Sequence, residues 1–170
     1  MAHLVLTFVG DDRAGLVQTL ADTVAAHGGN WERSEMAELA GAFAGIALVS
    51  VADDRVDQLR TALDGLGGLL RVTTHTSAAP HPAATRHVTV TVLGNDRPGI
   101  VRDVTGTLAA RGLSIDSLTS RTLDAPMAGG TLFEATVAVR VPGDLDTATI
   151  TSDLERLAGE IQVDLTVTDS

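Results

Sequence analysis

Residues 3–17 read HLVLTFVGDDRAGLV, and residues 87–101 read HVTVTVLGNDRPGIV. At that fixed offset seven of fifteen positions are identical, where ordinary residue frequencies give about one by chance. Most of the rest are conservative, as in Leu4/Val88, Leu6/Val90, Asp11/Asn95 and Leu16/Ile100. The register persists through Leu20/Val104, Val24/Leu108 and Gly28/Gly112. A chain that repeats itself in this way folds as two copies of one unit. The spacing predicts one domain at 1–77, a Pro/Ala-rich linker at 78–85, and a second domain at 86–170.

Each copy carries the same order of elements. Residues 3–9 and 87–93 are rich in β-branched residues and read as strands. Residues 13–27 and 97–111 carry an apolar stripe at helical spacing. Gly28 and Gly112 are positioned to stop those helices, since a helix end often needs positive φ. Second strands are expected at 30–38 and 114–121, and third strands at 43–51 and 131–141. Val56, Leu59, Leu63 and Leu66 define a second helix, matched by Ile150, Leu154 and Leu157. Fourth strands are expected at 69–76 and 161–168. The βαββαβ order predicts an α+β fold, each copy a four-stranded antiparallel sheet with both helices on one face. Such a unit has a thin core, one bare sheet face and open edges, so pairing of copies within or between chains is expected.

Composition narrows the function. The chain holds 22 acidic and 12 basic residues, a net charge of −10, and aromatics are only 2%. That charge opposes contact with a phosphate backbone, and the arginines are scattered. Stacking aromatics of the kind that hold single-stranded RNA are missing. Direct nucleic-acid binding is therefore not expected. Cysteine is absent, which removes disulfides, thiol catalysis and paired-Cys metal sites. No apolar run approaches a membrane span and no signal peptide is evident, so a cytoplasmic location is the default expectation. His75, His81 and His87 are spaced by six, a pattern that matches no metal motif. No cofactor or metal is expected.

The duplicated segment at the strand-to-helix junction attracts most interest: Asp11-Asp12-Arg13-Ala14-Gly15 and Asn95-Asp96-Arg97-Pro98-Gly99. Asp12 and Asp96 read as helix N-caps, and Pro98 suits a first turn. Capping alone could account for them. It does not account for Gly15 and Gly99, which read as glycines one turn inside a helix, where each costs about 1 kcal/mol relative to alanine. A repeated penalty implies close approach of a neighbouring backbone or a ligand. A helix N-terminus suits a carboxylate, and a nearby Asp or Asn can accept from an ammonium. Arg13 and Arg97 could pair with a protein carboxylate or grip a ligand's.

A βαββαβ unit with D-R-P-G-[IV]-V after its first strand resembles the ACT domain, a ferredoxin-like regulatory module that binds amino acids. The tandem arrangement is similar to the glycine cleavage system transcriptional repressor-like family. The resemblance implies a non-enzymatic regulator that binds a small amino acid, glycine or serine-like, where the first turn of one domain faces the second strand of its paired domain. It implies ligand contacts at Asp11, Asp12, Arg13, Ala14, Gly15 and Leu16, and at Asn95, Asp96, Arg97, Pro98, Gly99 and Ile100. It adds the second-strand starts, Asn30 and Trp31, and Ser114 and Ile115. A homodimer and a protein partner such as a transcription factor are implied as well. Ala14 stands where proline is usual, so the first copy is expected to be the weaker or altered site.

Other residues carry simpler expectations. Trp31, the single tryptophan, is expected in a core or a domain interface, with a pocket wall as the alternative. His3 and His87 are expected at equivalent half-buried positions. The longer loop at 123–130 could contact a partner or could be a plain hairpin. Two alternatives to a sensor remain: a protein–protein interaction module without a ligand, or an acylphosphatase-like enzyme using Arg13 or Arg97. The second lacks that enzyme's glycine-rich phosphate loop and valine-glutamine-glycine run.

Overall fold

The computed structural model describes residues 1–76, 85–125, 129–142, 147–161 and 163–169. The chain divides into two compact units, Met1–His81 and Pro82–Ser170. The first contains β1 (Ala2–Asp11), α1 (Leu16–Ala26), β2 (Asn30–Leu39), β3 (Ala42–Val51), α2 (Val56–Asp64) and β4 (Arg71–Thr76). The second contains β5 (Thr85–Asn95), α3 (Ile100–Ala110), β6 (Ser114–Asp124), β7 (Thr131–Pro142), α4 (Thr147–Ile161) and β8 (Val163–Asp169). The sheet orders are β2-β3-β1-β4 and β6-β7-β5-β8, with antiparallel pairing throughout. Each unit is a ferredoxin-like α+β domain.

Strand alternation decides what is buried. In β1, Leu4, Leu6 and Phe8 point inward and are at most 3% exposed. The intervening His3 and Val9 are exposed. In α1, Leu16, Leu20 and Val24 form the buried stripe, joined by Leu59 and Leu63 of α2 and by Ala47, Val49 and Val51 of β3. The second unit repeats this with Val88, Val90 and Val92 of β5, Ile100, Val104 and Leu108 of α3, and Ile150 and Leu154 of α4. Trp31 is half-buried and packs against the first core. The exposed strands β2 and β6 lie at sheet edges, and β6 is exposed along nearly its whole length.

Several boundaries differ from the sequence expectations. The strand β4 begins at Arg71 rather than 69, because Leu66, Leu69 and Leu70 close the α2 end in turns. Ile161 belongs to α4 instead of the last strand. A short 3-10 turn, Asp53–Arg55, precedes α2. Thr85, assigned to the linker, opens β5, and the rest of that linker (78–84) lies outside the described residues. In the 123–130 loop, Leu123 and Asp124 complete β6, and residues 126–128 lie outside the described residues.

The largest correction concerns the helix starts. The expected helices at 13–27 and 97–111 begin three residues later, at Leu16 and Ile100. Gly15 and Gly99 are not inside them. They are the N-cap residues, at φ 90° and 94°. Asp12 and Asp96 are not caps, and no side chain caps either helix. Their backbone N–H groups instead donate to the β-hairpin, Asp12 to the Gly41 carbonyl and Asp96 to the Thr131 carbonyl, both at 2.8 Å. The glycines are thus required by a left-handed backbone, which other L-residues adopt only at a cost.

Two stability outcomes follow. Leu59→Ala deletes a side chain with 0% exposure and should lower the stability of the first domain by about 2–5 kcal/mol, read from urea unfolding by fluorescence of the single Trp31. Gly15→Ala meets no neighbouring atom within 4 Å, so its cost of about 1–2 kcal/mol should come from backbone strain alone. The same fluorescence transition measures it.

Candidate functional site

Each turn leaves the central strand of its sheet and enters a helix whose N-terminus lacks a side-chain cap. The first amide N–H groups of an α-helix have no intrahelical acceptor and carry partial positive charge. In the first domain, Asp11, Asp12, Arg13, Ala14 and Gly15 are exposed, and Leu16 anchors the helix in the core at 4% exposure. Asp12, Arg13, Gly15, Leu16 and Phe43 line an open cleft of about 330 Å³ that also includes Val17 and Gln18. The Thr19 hydroxyl donates to the Gly15 carbonyl at 2.9 Å. Arg13 forms no ion pair among the described residues.

The second domain builds the same backbone with different side-chain chemistry. Asn95 ends β5, Asp96 and Arg97 follow, Pro98 precedes Gly99, and Ile100 is buried at 2% exposure. Arg97 Nη2 donates to Asp103 Oδ2 at 2.9 Å. Arg102 donates to Asp103 Oδ1 from Nε at 3.0 Å and from Nη2 at 2.9 Å. Asp103 sits in the first turn of α3, where the helix dipole also favours a negative charge. Hydrogen bonds from Arg97 and then Arg102 hold its carboxyl below the ordinary value of 3.8. A Cβ added to Gly99 would lie 3.2 Å from the Arg102 guanidinium, whereas one added to Gly15 would meet open space.

The second-strand starts lie elsewhere. Asn30 is level with Ser50 of β3, which is level with His3 at the beginning of β1. The turn begins at the other end of β1, where Asp11 pairs with Ala42. His3 and Asp11 are separated along one strand by eight residues, about 26 Å at roughly 3.3 Å per residue. Ser114 is likewise level with Arg140 and His87, while Asn95 pairs with Leu132. Within a single domain, therefore, Asn30 and Trp31 do not join the Asp11–Leu16 turn, nor do Ser114 and Ile115 join the Asn95–Ile100 turn.

Both second strands contain an irregularity just past those starts, between Trp31 and Arg33 and between Ile115 and Ser117. Each bulge presents a carboxylate to the histidine of the neighbouring level. His3 Nδ1 lies 3.4 Å from Glu32 Oε2, and His87 Nδ1 lies 3.2 Å from Asp116 Oδ2. Both histidines are exposed rather than half-buried, since they sit on the sheet face that bears no helix. Asp116 also accepts from Arg140 Nε at 3.1 Å. The sequence reading missed Glu32, Asp116 and Asp103. Residues 18–19 are Gln-Thr where 102–103 are Arg-Asp, and that contrast between copies was the available signal for Asp103.

Because its folded-state carboxyl titrates lower than the free side chain, Asp103 adds stability above its ordinary range and forfeits it as pH falls through the lowered value. Acidification from pH 6 to pH 3 should therefore weaken the second domain, and Asp103→Asn should flatten part of that dependence. Urea unfolding followed by far-ultraviolet circular dichroism at the two pH values measures it.

Comparison with known proteins supplies the family. Two ACT-domain models match the chain, one over residues 2–77 and one over 88–159. The chain is 30% identical over 162 residues to the glycine cleavage system transcriptional repressor of Escherichia coli (strain K12), covering 94% of this chain and 85% of the relative. A solved structure of an unknown protein from Galdieria sulphuraria superposes with a TM-score of 0.89 at 32% identity, covering 99% of this chain and 98% of that one. Another, provisionally named a glycine cleavage system transcriptional repressor, superposes at 0.76 with 23% identity, covering 99% and 97%, and supports the fold. Among the described residues no helix is long and apolar enough to cross a membrane. The duplicated turn, the sheet order and the length of the match agree: this chain is a tandem ACT-domain protein of the glycine cleavage system transcriptional repressor family.

Proposed function

We propose that the chain is a non-enzymatic regulator that binds a small amino acid, glycine or serine-like, and signals through a protein partner. The observation that carries this reading is the uncapped helix start at Gly15, open to space beside the exposed Arg13. Bare amide N–H groups and a guanidinium are the groups that a carboxylate needs. Family membership alongside a repressor supports a regulatory output.

An amino acid also carries an ammonium, which seeks a carboxylate or carbonyl. The second-strand start offers both types of group, with Asn30 leading into the bulge at Glu32. Since that start and the turn occupy opposite ends of one domain, a site uniting them takes two domains, from one chain or from a homodimer. The ligand then favours one pairing of domains over another, which is a population shift rather than catalysis. A protein partner such as a transcription factor reads the shift. The net charge of −10 favours a protein over DNA as that partner.

Isothermal titration of the full chain against the twenty amino acids tests the reading. Binding of glycine or serine is expected, with Arg13→Gln weakening it about tenfold, in line with loss of one charge-assisted hydrogen bond. Absence of binding by any amino acid would remove the sensor function and leave a protein-interaction module.

A further inference from the structure

The two turns share a backbone but not an electrostatic state, and the difference falls on one residue. In the second domain Asp103 places a carboxylate beside the turn, held by two arginines through three hydrogen bonds of 2.9–3.0 Å. Its side chain is 20% exposed, against 37% for Arg97 and 82% for Arg102. Arg97, the counterpart of Arg13, is thereby already engaged. Arg102 lies over Gly99, where the first domain has nothing over Gly15. Asp103 Oδ2 itself is 3.9 Å from the point where a Gly99 side chain would begin.

We propose that Asp103 is an internal carboxylate that closes the second turn to ligand, so that the first turn, at Arg13 and Gly15, alone takes the amino acid. This rests on the amino-acid reading above and adds the selection between the two domains. A ligand carboxylate approaching Gly99 finds the Arg97 and Arg102 guanidiniums already paired with Asp103 and must displace charge-assisted bonds to engage either. At Gly15 the exposed Asp12 also lines the cleft, but Arg13 is paired with no carboxylate among the described residues and nothing lies over the glycine. Position 19 is threonine, whose hydroxyl is turned onto the Gly15 carbonyl, and position 18 is an uncharged glutamine. The selection thus reverses the expectation from Ala14: the copy that departs from proline is the open one, and the Pro98 copy is the occupied one.

The strand starts show the same division. Asp116 is shared between His87 and Arg140, whereas Glu32 faces His3 with the buried Ser50 at the position of Arg140. Both halves of the second domain's chemistry are satisfied within the domain. The first domain keeps a cation at its turn and a carboxylate at its strand start with fewer internal partners.

Reciprocal exchange of the two residue pairs in the full-length chain tests the proposal. Wild type titrated with glycine and with L-serine should bind one molecule per chain. Arg102→Gln with Asp103→Thr copies the first turn onto the second and should raise this to two. Gln18→Arg with Thr19→Asp copies the second onto the first and should weaken binding at least tenfold. Circular dichroism and Trp31 fluorescence establish that each variant is folded, and should one exchange fail to fold, the other decides. Two equivalent sites in wild type, or an opened variant that still binds one, would overturn the role of Asp103 while leaving the sensor function standing. No heat with any of the twenty amino acids would overturn both.

Discussion

The bend between the central strand and the first helix of each domain depends on a glycine at positive φ. With Gly15 at 90° and Gly99 at 94°, the chain leaves the sheet and enters the helix within a few residues. The preceding Asp12 and Asp96 amides are tied to the neighbouring hairpin, so they fix where the turn sits. Leu16 and Ile100, the next residues, drop directly into the core. The consequence is chemical as well as geometric. A helix that starts on glycine gets no cap from its own N-cap side chain, so what lies over the start is set by neighbouring residues: Arg102 at Gly99, and nothing within 4 Å at Gly15.

Much of the fold is legible in the sequence because the physics behind it is periodic. Alternation in β1 and β5 and the 3.6-residue stripe in α1 and α3 both report which side faces the core. Gly28 and Gly112 follow the helices at φ 73° and 68°, in the conformation expected of helix-ending glycines. The helix starts are less legible, because Asp-Arg-Pro-Gly has the composition of a capped first turn. Nothing in that composition distinguishes a glycine in the helix from one that must bend the backbone before it. Trp31 was readable as a packing residue because it could bury area on its own domain's core.

The site was less legible, for a different reason. Residues that converge on a ligand do so through topology, and the β2-β3-β1-β4 order puts the turn and the second-strand start at opposite ends. A motif read in isolation carries no such distance. The bulges at Glu32 and Asp116 lie in exposed edge strands, where weak periodicity hides a skipped register position. Asp103 is hidden for another reason, since it has no counterpart in the other copy. Duplicated sequences advertise their common part, whereas Gln18-Thr19 against Arg102-Asp103 is where the two domains part company.

The opposite placement of turn and strand start along β1 has a further consequence for how such a protein responds to its surroundings. Two ends of one strand, about 26 Å apart at roughly 3.3 Å per residue, are too far apart for one small molecule to touch both within a domain. What meets the turn and what meets the strand start are separate events there, and a substitution at one end leaves the contacts of the other intact.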